Sequence, residues 1–189
     1  MFYKISKGLA FLIYKLFFNI QIIGSDKIPD QGPVIIIANH KSAQDPLLIT
    51  SMVKRQINWM AKIELFENKF LARILYKLGA FPVDRDIADI AAVKNSILVL
   101  RNNSVLGIFP EGTRVKEFDE NMIKPGIAMI AQRTKAKVVP IYIEGNYKIF
   151  RKMRLIVRDP IDFSEIPKLT NEEYSKLSVD IMKKVYFGD

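Results

Sequence analysis

The chain has 189 residues, 49% of them hydrophobic, enough for one packed domain and too few for two ordinary ones. It has no cysteine and a single histidine, which exclude a disulfide framework, a thiolate zinc site and a multi-histidine metal centre. A formal net charge of +9 implies attraction to polyanions, whether anionic lipid, phosphorylated substrate or nucleic acid. No recognition helix, zinc finger or RNA-binding aromatic signature accompanies that charge, so nucleic acid is the weaker partner.

Residues 1–19 differ from the rest. The longest uncharged run before Lys15 is Gly8-Leu9-Ala10-Phe11-Leu12-Ile13-Tyr14, far short of a bilayer span. A signal peptide fits poorly, because a lysine interrupts the apolar stretch and no small-residue cleavage site follows. On a helical wheel Lys4, Lys7 and Lys15 form one stripe. Ile5, Leu9, Leu12, Ile13, Leu16 and Phe17 fill the opposite side, with Phe11 and Phe18 intruding on the lysines. Such a pattern predicts an amphipathic helix lying in a membrane interface, its lysines snorkelling to the headgroups. The alternative is a helix packed on the domain's own core.

From residue 20 to 189 the signals alternate, which predicts a single α/β domain with a mixed, largely parallel sheet flanked by helices. Strands are expected at 19–23, 33–38, 57–61, 80–83, 105–109, 138–143 and 153–158. Helices are expected at 46–54, 69–78, from about Ile87 to Arg101, and at 125–134. A last helix opens on the capping-box pattern Thr170-x-x-Glu173 and stops near Gly188, with Tyr174, Leu177, Ile181 and Val185 on one face.

Chemistry concentrates in two loops. The apolar run Pro33-Val34-Ile35-Ile36-Ile37-Ala38 leads into Asn39-His40-Lys41-Ser42-Ala43-Gln44-Asp45. In an open α/β sheet, ligands and catalytic groups gather beyond the carboxyl ends of strands. A histidine there, followed by a carboxylate, has the composition of a general base with its orienting partner. Equally, His40 can end a strand and Asp45-Pro46 can start a helix. The second loop, Pro110-Glu111-Gly112-Thr113-Arg114, follows the run Val105-Leu106-Gly107-Ile108-Phe109. Its arginine is a planar fork suited to phosphate, and its glycine allows close backbone approach. Alone it also reads as an ordinary polar turn.

Together, Asn39-His40-x-Ser42-x-x-Asp45 and Phe109-Pro110-Glu111-Gly112-Thr113-Arg114 resemble the first and third signature motifs of the glycerolipid acyltransferase family. Gly79-Ala80-Phe81-Pro82-Val83-Asp84-Arg85 resembles the second motif and Val138-Val139-Pro140-Ile141-Tyr142-Ile143-Glu144-Gly145 the fourth, in the same order. Trp59-Met60-Ala61-Lys62-x-Glu64-Leu65-Phe66 is similar to a family segment that supplies a phosphate-binding lysine. Val115 departs from the pattern, standing where a serine commonly follows the arginine.

The resemblance implies transfer of an acyl group from acyl-CoA or acyl-carrier protein to the 2-hydroxyl of 1-acylglycerol-3-phosphate, giving phosphatidate. It implies His40 as base, Asp45 as its partner, and Lys62, Arg85 and Arg114 on the acceptor phosphate. Glu111 is then expected to accept from a glycerol hydroxyl, Gly112 and Thr113 to help bind substrate, and Ser42 to support the loop. No metal or bound cofactor is called for; the acyl donor is a cosubstrate. The expected location is the cytoplasmic face of the cell membrane, as a peripheral or monotopic protein. Other acceptors, such as glycerol-3-phosphate or another lysolipid, share these motifs. A non-catalytic phospholipid-binding protein on the same fold is the reading of another class. The basic residues Lys148, Arg151, Lys152, Arg154 and Arg158 suit an acidic carrier protein, anionic lipid, or plain solvation.

Overall fold

The run Val34–Ala38 forms β2, buried along its whole length at the centre of a seven-stranded sheet. Side chains alternate across a strand, so Ile35 and Ile37 enter one core while Val34, Ile36 and Ala38 enter another on the opposite face. In this computed structural model, which describes residues 1–87 and 89–188, the other strands are β1 (Asn19–Ile23), β3 (Ile57–Lys62), β4 (Phe81–Val83), β5 (Val105–Ile108), β6 (Lys137–Glu144) and β7 (Lys152–Val157). Their order is β1-β7-β6-β2-β5-β3-β4, with every pairing parallel except β6 with β7.

The helices are α1 (Phe2–Phe17), α2 (Asp45–Met52), α3 (Lys69–Lys77), α4 (Ile90–Arg101), α5 (Gly126–Thr134) and α6 (Asn171–Phe187). Side chains of α1 and α2 join the core on the Ile36 face, and those of α4, α5 and α6 join the core on the Ile35 face. The result is a three-layer α/β architecture, as the alternation of sequence signals requires. Three short 3-10 segments, at Ser25–Lys27, Ile63–Phe66 and Glu120–Met122, were not expected; they are too short to carry a hydrophobic period.

Local chemistry sets the ends of the helices. Thr170 and Glu173 form the anticipated reciprocal capping box at the start of α6. The helix expected from about Ile87 begins instead at Ile90, because the Asp89 side chain accepts the Ala92 amide and stops the helix there. Residue 88, inside the expected span, lies outside the described residues.

Helix α1 has two different sides. Ala10 and Tyr14 are buried in the core, the Tyr14 hydroxyl donates to the Gln44 carbonyl at 3.2 Å, and the Tyr3 hydroxyl accepts the Ile57 amide at 3.1 Å. Lys7, grouped above with a snorkelling stripe, instead donates to the Val53 and Lys54 carbonyls at the end of α2. Burial against these groups lowers its pKa. Ile5, Leu9, Leu12, Ile13 and Leu16, on the other side, are all exposed. Among the described residues, no helix is long and apolar enough to cross a membrane.

Candidate active site

Asp45 is completely buried at the first turn of α2, yet its carboxylate does not cap that helix. It turns back instead. Its Oδ2 accepts the Lys41 and Ser42 amides at 2.7 Å each and meets His40 Nδ1 at 2.9 Å. The five-residue separation thus closes into a tight loop in which one carboxylate oxygen organises the backbone and the imidazole together. A carboxylate on Nδ1 fixes the tautomer with its proton on that nitrogen, leaving the Nε2 lone pair as the basic position.

The histidine is braced on every side. Its amide donates to Glu111 Oε2 at 2.7 Å, and its carbonyl accepts the Val115 amide at 2.8 Å. Since Val115 contributes only backbone here, a valine in place of serine leaves this contact intact. Just before it, Asn39 makes two bonds to the backbone of Ile143 near the end of β6: its amide group donates to the carbonyl at 3.2 Å, and its side-chain oxygen accepts the backbone amide at 2.7 Å. The imidazole stacks on Phe109 with centroids 4.1 Å apart, and Phe109 stacks in turn on Trp59 at 4.9 Å. The Trp59 indole is anchored through Nε1 to Thr50 Oγ1 at 2.9 Å.

His40, Lys62, Arg85 and Arg114 line one cavity of about 350 Å³. They come from the carboxyl ends of β2, β3, β4 and β5, so parallel pairing alone delivers them to one edge of the sheet. The rest of that cavity is mostly apolar, with Leu47, Trp59, Leu75, Leu78 and Phe109 in its walls. Lys62 is exposed and ion-paired with Glu64, which raises its pKa. Arg85 is partly buried, and desolvation lowers its pKa, with Arg114 acting in the same direction. Two guanidinium groups held near each other in this way favour an anion between them.

The other expected substrate contacts fall elsewhere. Glu111 is 1% exposed; besides the His40 amide it accepts the Tyr186 hydroxyl from the end of α6. Burial raises its pKa, and each of its oxygens accepts a hydrogen bond from the protein, so it braces the histidine loop. The Gly112 amide donates to the Phe109 carbonyl at 3.0 Å within its own turn. Gly112 lines a second cavity of about 770 Å³ between α4, α5 and the start of α6. Thr113 is exposed and borders neither cavity.

Sequence reasoning missed Tyr147. It follows the fourth motif by two positions, and its hydroxyl donates to Asp45 Oδ1 at 2.6 Å. Burial, with the Asp45 carboxylate beside it, pushes the phenol far above its ordinary pKa, so it stays a donor. Tyr186 was read only as part of the last helix, and it too is held protonated by burial and by Glu111. Neither contact leaves a local sequence signal.

The α/β sheet thus brings a histidine with its aspartate partner and three cations to one mostly apolar cavity. A family model described as Acyltransferase matches residues 19–144. The 1-acyl-sn-glycerol-3-phosphate acyltransferase of Bacillus subtilis is 32% identical over 174 residues, covering 87% of this chain and 86% of that protein. The protein of that same description from Streptococcus pneumoniae is 32% identical over 181 residues, covering 91% and 67%. In fold, the chain is similar to the crystal structure of the 1-acyl-sn-glycerophosphate (LPA) acyltransferase PlsC from Thermotoga maritima. That match has a TM-score of 0.68 at 24% identity and covers 96% of this chain and 79% of the other. The chain belongs to the acyltransferase family.

Proposed function

We propose that the protein acylates the 2-hydroxyl of 1-acylglycerol-3-phosphate at a membrane surface, with acyl-CoA or acyl-carrier protein as donor. The observation that carries this reading is that His40, paired with the buried Asp45, lines a mostly apolar cavity together with Lys62, Arg85 and Arg114. In the proposed reaction His40 Nε2 removes the proton of the acceptor hydroxyl as its oxygen bonds to the thioester carbonyl carbon. Asp45 holds the resulting imidazolium. When the tetrahedral intermediate collapses, the carbon–sulfur bond breaks and the thiolate takes the proton back from Nε2. The cations hold the acceptor phosphate, and the apolar wall receives an acyl chain. Written this way, the reaction balances without a metal or organic cofactor.

The relatives' names support the acceptor, and the exposed apolar side of α1 supports peripheral attachment to a membrane. Incubating the full chain with labelled acyl donor and a panel of lysolipids in vesicles tests the reading. Acylation of 1-acylglycerol-3-phosphate in preference to glycerol-3-phosphate is expected. His40→Ala should lower the rate at least roughly a hundredfold with the fold retained, the usual scale of acid–base catalysis. Turnover near that of the wild type would remove His40 from the mechanism.

A further inference from the structure

The loop between β6 and β7, residues 145–151, bears Tyr147 on its inner side and a different surface on its outer side. Lys148, Ile149, Phe150, Arg151 and Lys152 form a continuous exposed stretch, with Ile149 60% and Phe150 76% accessible. Two backbone hydrogen bonds seat this stretch against the end of α1. The Phe150 amide donates to the Phe17 carbonyl at 2.8 Å, and the Asn19 amide donates to the Arg151 carbonyl at 3.3 Å. The loop therefore meets the helix where Leu16 and Phe17 are themselves exposed.

Phe150 adopts φ +61°, the left-handed region that a residue with a large side chain avoids. Burial does not offset that strain, because the ring stands in water. Strained backbone of this kind clusters at functional surfaces. Two large apolar side chains, flanked by three cations and continuous with the apolar side of α1, match a bilayer with anionic headgroups. An acidic protein surface would engage the cations and leave Ile149 and Phe150 in water.

We propose that this tip is a second lipid-contacting element. Ile149 and Phe150 enter the acyl boundary of an anionic bilayer, Lys148, Arg151 and Lys152 meet its headgroups, and the contact extends the surface offered by α1. The inference rests on the membrane-surface reading above.

Sedimentation of the full chain with phosphatidylglycerol–phosphatidylcholine vesicles tests it. The paired substitution Ile149→Ser and Phe150→Gly should lower vesicle affinity at least roughly tenfold, a lower bound for losing the apolar burial of two large side chains. Thermal stability should hold or rise, since glycine adopts the left-handed conformation freely. Activity on a dispersed short-chain acceptor should persist while activity on vesicle-borne acceptor falls. A variant that sediments like the wild type overturns the proposal, as does one that loses only affinity for an acidic acyl-carrier protein. Failure of the wild type itself to sediment overturns the membrane-surface reading beneath it.

Discussion

Tyr147 and Asp45 are 102 positions apart, and the phenol of the first donates to the carboxylate of the second at 2.6 Å. Asp45 thus accepts from two backbone amides and a phenol while its Oδ2 also faces the His40 ring. Each added donor spreads the negative charge that the imidazolium would otherwise feel. Tyr147 is a positioning residue in this arrangement, acting on His40 through Asp45.

Tyr147→Phe keeps the ring against Phe18, which it meets edge-on at 6.1 Å, and removes only the donor. The expected loss in kcat is about tenfold, the scale of one hydrogen bond to a charged group. KM values should stay nearly unchanged. An unchanged kcat would reduce Tyr147 to packing.

Arg114→Ala tests the anion site. Arg114 is exposed and shares the cavity with Arg85 and Lys62, so its loss should leave the fold intact. The acceptor KM should rise about tenfold through loss of a charge-assisted contact, with donor KM little altered. Acylation assays that vary each substrate separately check this. A rise confined to the donor would assign the arginine to the other substrate.

Much of this site is local in sequence, and those parts were legible. The histidine–aspartate loop, the segments bearing Lys62, Arg85 and Arg114, and the strands that end beside them all have short-range signals of composition and period. Their convergence follows from parallel pairing. What the sequence did not reveal is long-range and borne by single side chains. Tyr147 on Asp45, Tyr186 on Glu111 and Asn39 on Ile143 span 102, 75 and 104 positions, and no periodicity encodes such contacts. The resemblance implied a substrate contact for Glu111, and nothing local in the sequence indicated that the protein itself would bury that carboxylate. Its burial comes from α6, whose arrival over that loop is a tertiary event.

Gly107 pairs in register with Trp59 across β5 and β3. A Cβ built on Gly107 would fall 2.4 Å from the indole, so this strand position is open only to a residue without a side chain. Gly107→Ala must push the indole off Phe109 and, through Phe109, disturb the ring stacked on it, His40. We expect a loss of about 1–3 kcal/mol in stability, the range for overpacking a core, together with reduced kcat. Because Trp59 is the only tryptophan, its fluorescence reports both its displacement and the urea unfolding midpoint. An unshifted emission with unchanged midpoint would show that the sheet relaxes without moving the stack.

Helix α1 offers a test of membrane docking that truncation does not. Deleting it would remove Ala10 and Tyr14 from the core and the Lys7 bonds from the end of α2, so any loss of activity would mix unfolding with detachment. Leu9, Leu12 and Leu16 are 58%, 51% and 60% exposed on the side that makes no core contact. Changing all three to serine should leave thermal stability within about 0.5 kcal/mol per site, the usual range for exposed positions. Vesicle affinity should fall by at least roughly tenfold, because each leucine loses up to about 1.5–3 kcal/mol of available burial. Activity on a vesicle-borne acceptor should drop in parallel, and activity on a dispersed short-chain acceptor should be spared. Equal loss on both substrates would mean that the exposed leucines serve the fold or the catalytic loop, and the lipid contact would have to lie on another surface.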